Sequence, residues 1–182
     1  AHGGDTQALG AAGPGEERWH WLQSQPHVAY LMTLVAGRFS EIVADMPELP
    51  VRYYVDPGRE ADGKRAFGRT PEMLAHFESV TGVRYPWDKY HQVAVHDFIF
   101  GGMENTSCTT MTDRILLDER AMLDNTADDI VAHELAHQWF GDLVTCRDWS
   151  HAWLNEGFAT FFEHVDQEKK SGRDEYLYSL KE

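Results

Sequence analysis

The spacing of apolar positions changes along the chain, and each change marks an element. Val28 to Ala36 (VAYLMTLVA) is an almost unbroken apolar run, partly β-branched, which predicts a buried strand closed by Gly37. Pro47 and Pro50 mark a connection. Val51–Val55 (VRYYV) predicts a second strand, and Asp56-Pro57-Gly58 a turn behind it. Thr70-Pro71-Glu72 reads as a helix start, with Thr70 as N-cap and Pro71 at the first helical position. Met73, Leu74, Phe77 and Val80 follow at helical spacing, and Gly82 and Pro86 end the helix. His91–Phe100 (HQVAVHDFIF) predicts a strand, and Ile115–Leu117 a short one after the Gly101-Gly102 pair. Asp124-Asn125-Thr126 supplies caps for a helix from about residue 127 to 140. Asp128 and Asp129 suit its positive end, and Gly141 stops it. A second helix should run from Trp153 to about Lys170, ended by Ser171-Gly172. Residues 1–17, rich in Gly, Ala and polar side chains, read as a loop or a disordered lead-in. Strands come first and helices last, an α+β order, and no internal repeat is visible.

Composition narrows the picture only in places. With 30 acidic and 16 basic side chains the formal charge is −14, which argues against a nucleic-acid or anionic-membrane surface. No stretch reaches the roughly 18 to 20 apolar residues needed to span a bilayer. Residues 1–17 lack the apolar core of a signal peptide. A cytoplasmic location is the resulting expectation, with other compartments open. Cys108 and Cys146 show no CxxC spacing and no disulfide framework; they read as structural cysteines, with a mutual pair left open.

Chemistry concentrates in three short segments. His133-Glu134-Leu135-Ala136-His137 is HExxH. On a helix, positions i and i+4 share a face, so both imidazoles can reach one cation, with zinc the natural choice. Glu134 beside them can reach a water on that metal as general base. Taken alone, the pentapeptide is also compatible with a charged helix face carrying two unrelated histidines. A catalytic site needs a third protein ligand and an open fourth position. Glu156, in Trp153-Leu154-Asn155-Glu156-Gly157-Phe158-Ala159, is the candidate: the eighteen residues between it and His137 suffice for a helix end, a loop and the start of an antiparallel helix. Gly101-Gly102-Met103-Glu104-Asn105 is the third segment. Paired glycines admit close backbone approach, and Glu104 follows an apolar strand, so it could project into a cleft at the strand's end; in isolation the segment is a weak signal and reads more readily as a turn with a solvated Glu.

Together the three segments resemble the M1 family of zinc aminopeptidases, the aminopeptidase N-like gluzincins. GGMEN at 101–105 looks like that family's exopeptidase motif, and HELAHQWFG at 133–141 with WLNEGFA at 153–159 like its zinc signature. The similarity runs from about Gln25 to Glu168 and includes PHVAYLMTLVAGRF and YPWDKY. The resemblance implies a thermolysin-like catalytic domain in which a mixed sheet precedes the zinc-binding helices. Residues 1–49 would be the tail of a preceding β-domain, and 50–182 the N-terminal part of a truncated catalytic domain. It implies one zinc ion on His133, His137 and Glu156, Glu134 as general base, and peptide substrates with a free N-terminus. Glu104 would bind the substrate's α-ammonium, while Gly101, Gly102 and Met103 line the peptide path. Asn155 and Glu163 are expected behind the metal ligands, orienting them.

The family's oxyanion-stabilising tyrosine is expected beyond Glu182, since Tyr176 and Tyr178 follow Glu156 too closely. The chain is therefore expected to be a fragment that binds zinc but turns over peptides weakly. Two alternatives stay open: a leukotriene-A4-hydrolase-like member with added epoxide hydrolysis, and a non-catalytic M1-like interaction module. The oligomeric state is not legible.

Overall fold

A computed structural model describes residues 13–16 and 18–181, so the expected lead-in lies almost wholly outside the described residues. The framework is a mixed five-stranded sheet. Three parallel strands form its centre: β2 (Val51–Val55), β3 (Tyr90–Val95) and β5 (Cys108–Thr112). β1 (Ser40–Val43) and β4 (Gly102–Met103) run antiparallel at the edges, and the order is β1-β2-β3-β5-β4. One sheet thus continues across residue 50.

Parallel neighbours need a crossover. Here α1 (Glu60–Phe67) and α2 (Thr70–Thr81) carry the chain from β2 to β3. One face of the sheet presents Val51, Tyr53, Val55, Tyr90, Ala94 and Met111, all buried, to a core built from Phe67, Met73, Leu74 and Phe77. Two further helices close that core: α3 (Asp128–Ala136) with Val131, Ala132 and Leu135, and α4 (Trp153–Ser171) with Ala159 and Phe162. Phe77 is the joint between layers. It meets Phe162 edge-on at 4.8 Å and Trp139 at 6.4 Å. A short α5 (Arg173–Ser179) follows α4. No helix among the described residues is long and apolar enough to cross a membrane.

β2, the turn after it, α2, α3 and α4 lie close to where the sequence pattern places them. Gly58 supplies the positive φ of 92° that the Asp56–Arg59 turn needs. Gly82, at φ 67°, ends α2, and its N–H donates to the Glu78 carbonyl.

Other expectations are corrected. Val28–Ala36 forms only a 3-10 turn, Ala29–Leu31, with Met32 and Leu34 70% and 80% exposed. No described strand lies beside it, and a strand without a neighbour has nowhere to place its ladder hydrogen bonds. Thr70 is not a cap: it is the first residue of α2, and its buried hydroxyl donates to Gln92 on β3 at 2.8 Å. The strand expected over His91–Phe100 ends at Val95, where the chain turns through Asp97 at φ 55°. The strand expected at Ile115–Leu117 is instead a 3-10 turn over Asp113–Ile115; the strand is the threonine-rich β5 just before it. The α-helix expected to reach residue 140 tightens after Ala136, with Gln138 and Trp139 donating to carbonyls three residues back. The helix α1 carries no sequence signal because Gly63 sits at its middle. That glycine lets it press on β1 and β2: a Cβ there would fall 2.8 Å from Val55 and 2.9 Å from Ile42.

If Phe77 is the joint, Phe77→Ala should lower the unfolding free energy by about 3–5 kcal/mol. Val80→Ala on the exposed side of the same helix should change it by less than about 0.5 kcal/mol. Urea denaturation of the two variants measures the difference.

Candidate metal centre

Helix α3 carries His133, Glu134 and His137, the last at its C-cap, and α4 carries Glu156 and Glu163. The two helices are antiparallel: the start of α3 pairs with the end of α4 through Asp128 and Lys170, and the end of α3 meets the start of α4 at His137 and Glu156. That arrangement turns a sequence gap into a spatial contact.

The ligand atoms converge. His133 Nε2 and His137 Nε2 are 3.0 Å apart, and Glu156 Oε2 lies 3.4 Å and 3.5 Å from them. A tetrahedral zinc ion bound at about 2.0–2.1 Å holds its ligand atoms roughly 3.3 Å apart. The other ring nitrogens are committed. His137 Nδ1 is 2.9 Å from the Phe140 carbonyl, which can only accept, so the proton is on Nδ1 and the Nε2 lone pair is free. His133 Nδ1 donates in the same way to Glu163 Oε1 at 2.6 Å. Both rings therefore aim bare nitrogens at one point that a carboxylate also faces. The donor set, two imidazoles and one carboxylate, suits zinc. Glu156 is the outward member, its side chain 58% exposed, so the cluster opens to solvent on that side.

Without a cation, the surrounding carboxylates favour a second proton on each ring, at the Nε2 atoms that a metal ion would take instead. Burial pulls the His133 imidazole down, but hydrogen bonds to Glu156 and Glu163 outweigh it and push its pKa up to about 10. His137 is raised as well, with burial opposing Glu156 and the neighbouring carboxylates. Hydrogen bonds from the two histidines hold Glu156 far below the usual carboxylate range.

Glu134 differs from its neighbours. It is 4% exposed, and burial pushes its carboxyl up to about 7 against the pull of the two histidines. Gly102 of β4 lies directly against it: a Cβ on Gly102 would fall 2.2 Å from Glu134 Oε1. Only glycine leaves this carboxylate its place. Gly101 is less constrained, since its Cβ would meet the flexible end of Ile130 at 3.2 Å. Met103 completes β4 and is half-buried. Glu104 is buried, and one oxygen each from Glu104 and Glu134 and one ring nitrogen of His137 lie within 4.8 Å of one another. The GGMEN strand thus brings a second acid to the same pole of the cluster.

Asn155 is buried, and its hydrogen bonds go to neighbouring segments: Oδ1 accepts from Cys146 N–H at 3.2 Å and Nδ2 donates to the Tyr30 hydroxyl at 3.5 Å. It approaches His137 across Gly141, whose Cβ position lies 3.1 Å from His137 Nδ1 and 3.5 Å from Asn155 Nδ2. Tyr176 and Tyr178 sit on α5, beyond the end of α4. Ser171, where α4 ends, is fifteen residues from Glu156, or about 22 Å along the axis.

Three neighbours had no sequence signal. The Phe140 carbonyl is backbone and belongs to no motif. Tyr30 lies in the segment read as a strand; burial, then the charges of Glu104 and Asp142, push its hydroxyl up to about 12. Asp142 is buried, and burial together with Glu104 drives its carboxyl well above the ordinary range. A cavity of about 460 Å³, lined by Trp21, Leu31, Leu34, Lys89, Asn105 and Cys108 among others, includes none of the three converging ligands.

Known proteins resemble this chain over most of its length. The Peptidase family M1 domain model matches residues 65–180. "Probable aminopeptidase 2" of Sulfurisphaera tokodaii is 38% identical over 154 residues, covering 82% of this chain and 20% of that protein. "Aminopeptidase 2, mitochondrial" of Saccharomyces cerevisiae is 41% identical over 136 residues, 72% of this chain and 14% of that protein. "Aminopeptidase M1-C" of Oryza sativa subsp. japonica is 37% identical over 151 residues, 80% and 17% respectively. The chain spans a fifth or less of the length of these relatives. With the family model covering more than half of its residues, the chain belongs to peptidase family M1.

Proposed function

We propose that this chain carries the zinc site and the amine-recognition strand of a metallo-aminopeptidase, in a thermolysin-like arrangement. The observation that carries the reading is the convergence of His133 Nε2, His137 Nε2 and Glu156 Oε2 at 3.0–3.5 Å, with both Nδ1 protons committed elsewhere. The relatives named as aminopeptidases support the substrate class, peptides with a free N-terminus.

When bound, zinc polarises the scissile carbonyl and makes a nearby water acidic. The chain's own side chains do the rest. Glu134, buried beside the two histidines, takes a proton from the attacking water and returns it to the leaving amine. Glu104, buried within reach of Glu134, offers a carboxylate to the substrate's α-ammonium; a blocked terminus would leave that acid unpaired. Gly102 keeps backbone and general base in contact. Glu163 and the Phe140 carbonyl hold the rings in the tautomer that presents Nε2. Turnover by the chain alone is expected to be weak, because it spans a fifth or less of the length of its aminopeptidase relatives.

Two outcomes test this reading. The purified chain, dialysed against metal-free buffer after zinc loading, should retain about one zinc by elemental mass spectrometry, and His137→Ala should retain almost none. Equal retention in both would contradict the ligand assignment. In the longest active form of the protein, Gly102→Ala should keep the zinc yet lose turnover of an aminoacyl-anilide roughly a hundredfold or more, approaching Glu134→Gln. Unchanged turnover would show that Glu134 does not act from the place it occupies here.

A further inference from the structure

The seam between α3 and α4 continues far beyond the metal cluster. Along α4, Glu156, Ala159, Glu163, Asp166 and Lys170 recur at steps of three and four, so they share one helix face. That face meets α3 rung by rung. Glu156 reaches His137 and His133, Glu163 reaches His133, and Lys170 reaches Asp128 at 2.5 Å. The remaining rung, Asp166, finds its partner on a third element. Arg69, at the N-cap of α2, grips both Asp166 oxygens, Nη1 at 2.8 Å and Nη2 at 3.0 Å. The same Nη1 lies 3.0 Å from Asp128 Oδ2 at the first residue of α3. Asp128 and Asp166 are 6% and 2% exposed. One guanidinium thus joins the sheet-packed α2 to both helices of the metal cluster.

We propose that Arg69 is a positioning residue for the metal centre: by clamping Asp166 and Asp128 it sets the axial register of α4 against α3, and so the placement of Glu156 relative to His133 and His137. The inference rests on reading that cluster as a zinc site. Asp166 is ten residues from Glu156, about 15 Å along α4, so Arg69 acts without touching a ligand. The required tolerance gives the clamp its importance. A slide of one residue moves a helix about 1.5 Å, whereas zinc–ligand distances hold to about 0.2 Å. Ala159, the apolar rung of this face, makes no polar contact that would fix the register. A two-pronged guanidinium–carboxylate pair is directional. Without Arg69, Asp166 loses the partner of both its oxygens, and the Lys170–Asp128 pair is left as the charged tie at that end of the seam.

The test is the zinc dissociation constant of the chain, measured by competition with a chromogenic chelator, alongside its thermal midpoint. Arg69→Ala should weaken zinc binding about tenfold or more. Arg69→Lys keeps the charge but not the fork, and should fall between wild type and Arg69→Ala; it also serves if Arg69→Ala does not fold. Val51→Ala, in β2 and away from the seam, should lower the midpoint while leaving zinc affinity unchanged. Zinc affinity in both Arg69 variants equal to wild type would overturn the clamp while leaving the zinc site standing. So would a loss in Val51→Ala as large as that in the Arg69 variants, which would make the effect one of general stability. Failure of the unaltered chain to bind zinc at all would overturn the site reading and the clamp with it.

Discussion

The antiparallel contact between α3 and α4 is the constraint on which the rest depends. It places imidazoles and carboxylates face to face in a seam that is largely buried: His137, Glu134, Asp128 and Asp166 all lie below a tenth exposed. Burying charge is costly unless each group is paired. Opposite charges meet that demand for Asp128, Asp166 and the two histidines, while one buried oxygen of Glu134 keeps no hydrogen-bond partner, and the apolar part of the same interface, Leu135, Ala159 and Phe162 against Phe77, supplies the cohesion. Paired polar groups specify one register, and apolar packing holds the helices at contact distance. The point where two imidazole nitrogens and an outward carboxylate meet is where the proposed cation would sit.

The sheet contributes position rather than chemistry. Its short edge strand β4 lies beside β5 and ends against α3, which lets Gly102 touch Glu134 and brings Glu104 in beside it. The absence of a side chain at Gly102 is therefore as specific as the presence of the acid it faces. The two helices each carry one acid to the cluster, and their environments separate them: Glu134 on α3 is driven towards neutrality by burial, while Glu156 on α4, on the open side, is held ionised by two imidazoles.

Much of this was legible in the sequence, for physical reasons that differ from residue to residue. HExxH is readable because helix geometry alone puts i and i+4 on one face. Glu156 is readable because eighteen residues after His137 suffice for a helix end, a loop and a returning helix, and Glu163 because a seven-residue step returns to the same face of that helix. Gly58 and Gly82 are read correctly because their backbone preferences are local, whereas Pro71 sits one place later than expected, second in α2 rather than first. What failed was non-local. The apolar run at Val28–Ala36 has strand composition but no described neighbour, so its pattern finds no ladder. Thr70 has cap chemistry, yet its hydroxyl is taken by Gln92 of a strand twenty-two residues away. The helix α1 exists because Gly63 fits against Val55 and Ile42, a fit that no window of sequence contains. The Phe140 carbonyl that holds His137 carries no identity in sequence at all, and Arg69 is an ordinary helix-start arginine until α4 is folded back over it.

The most direct test is X-ray absorption at the zinc edge of the zinc-loaded chain. The account predicts a four-coordinate ion with two imidazole nitrogens and light oxygen donors at about 2.0–2.1 Å and no sulfur. Replacing His133 by alanine should remove one of the two imidazole scattering patterns. A spectrum showing sulfur ligation, or one unchanged by the loss of His133, would place the metal elsewhere and contradict the central claim.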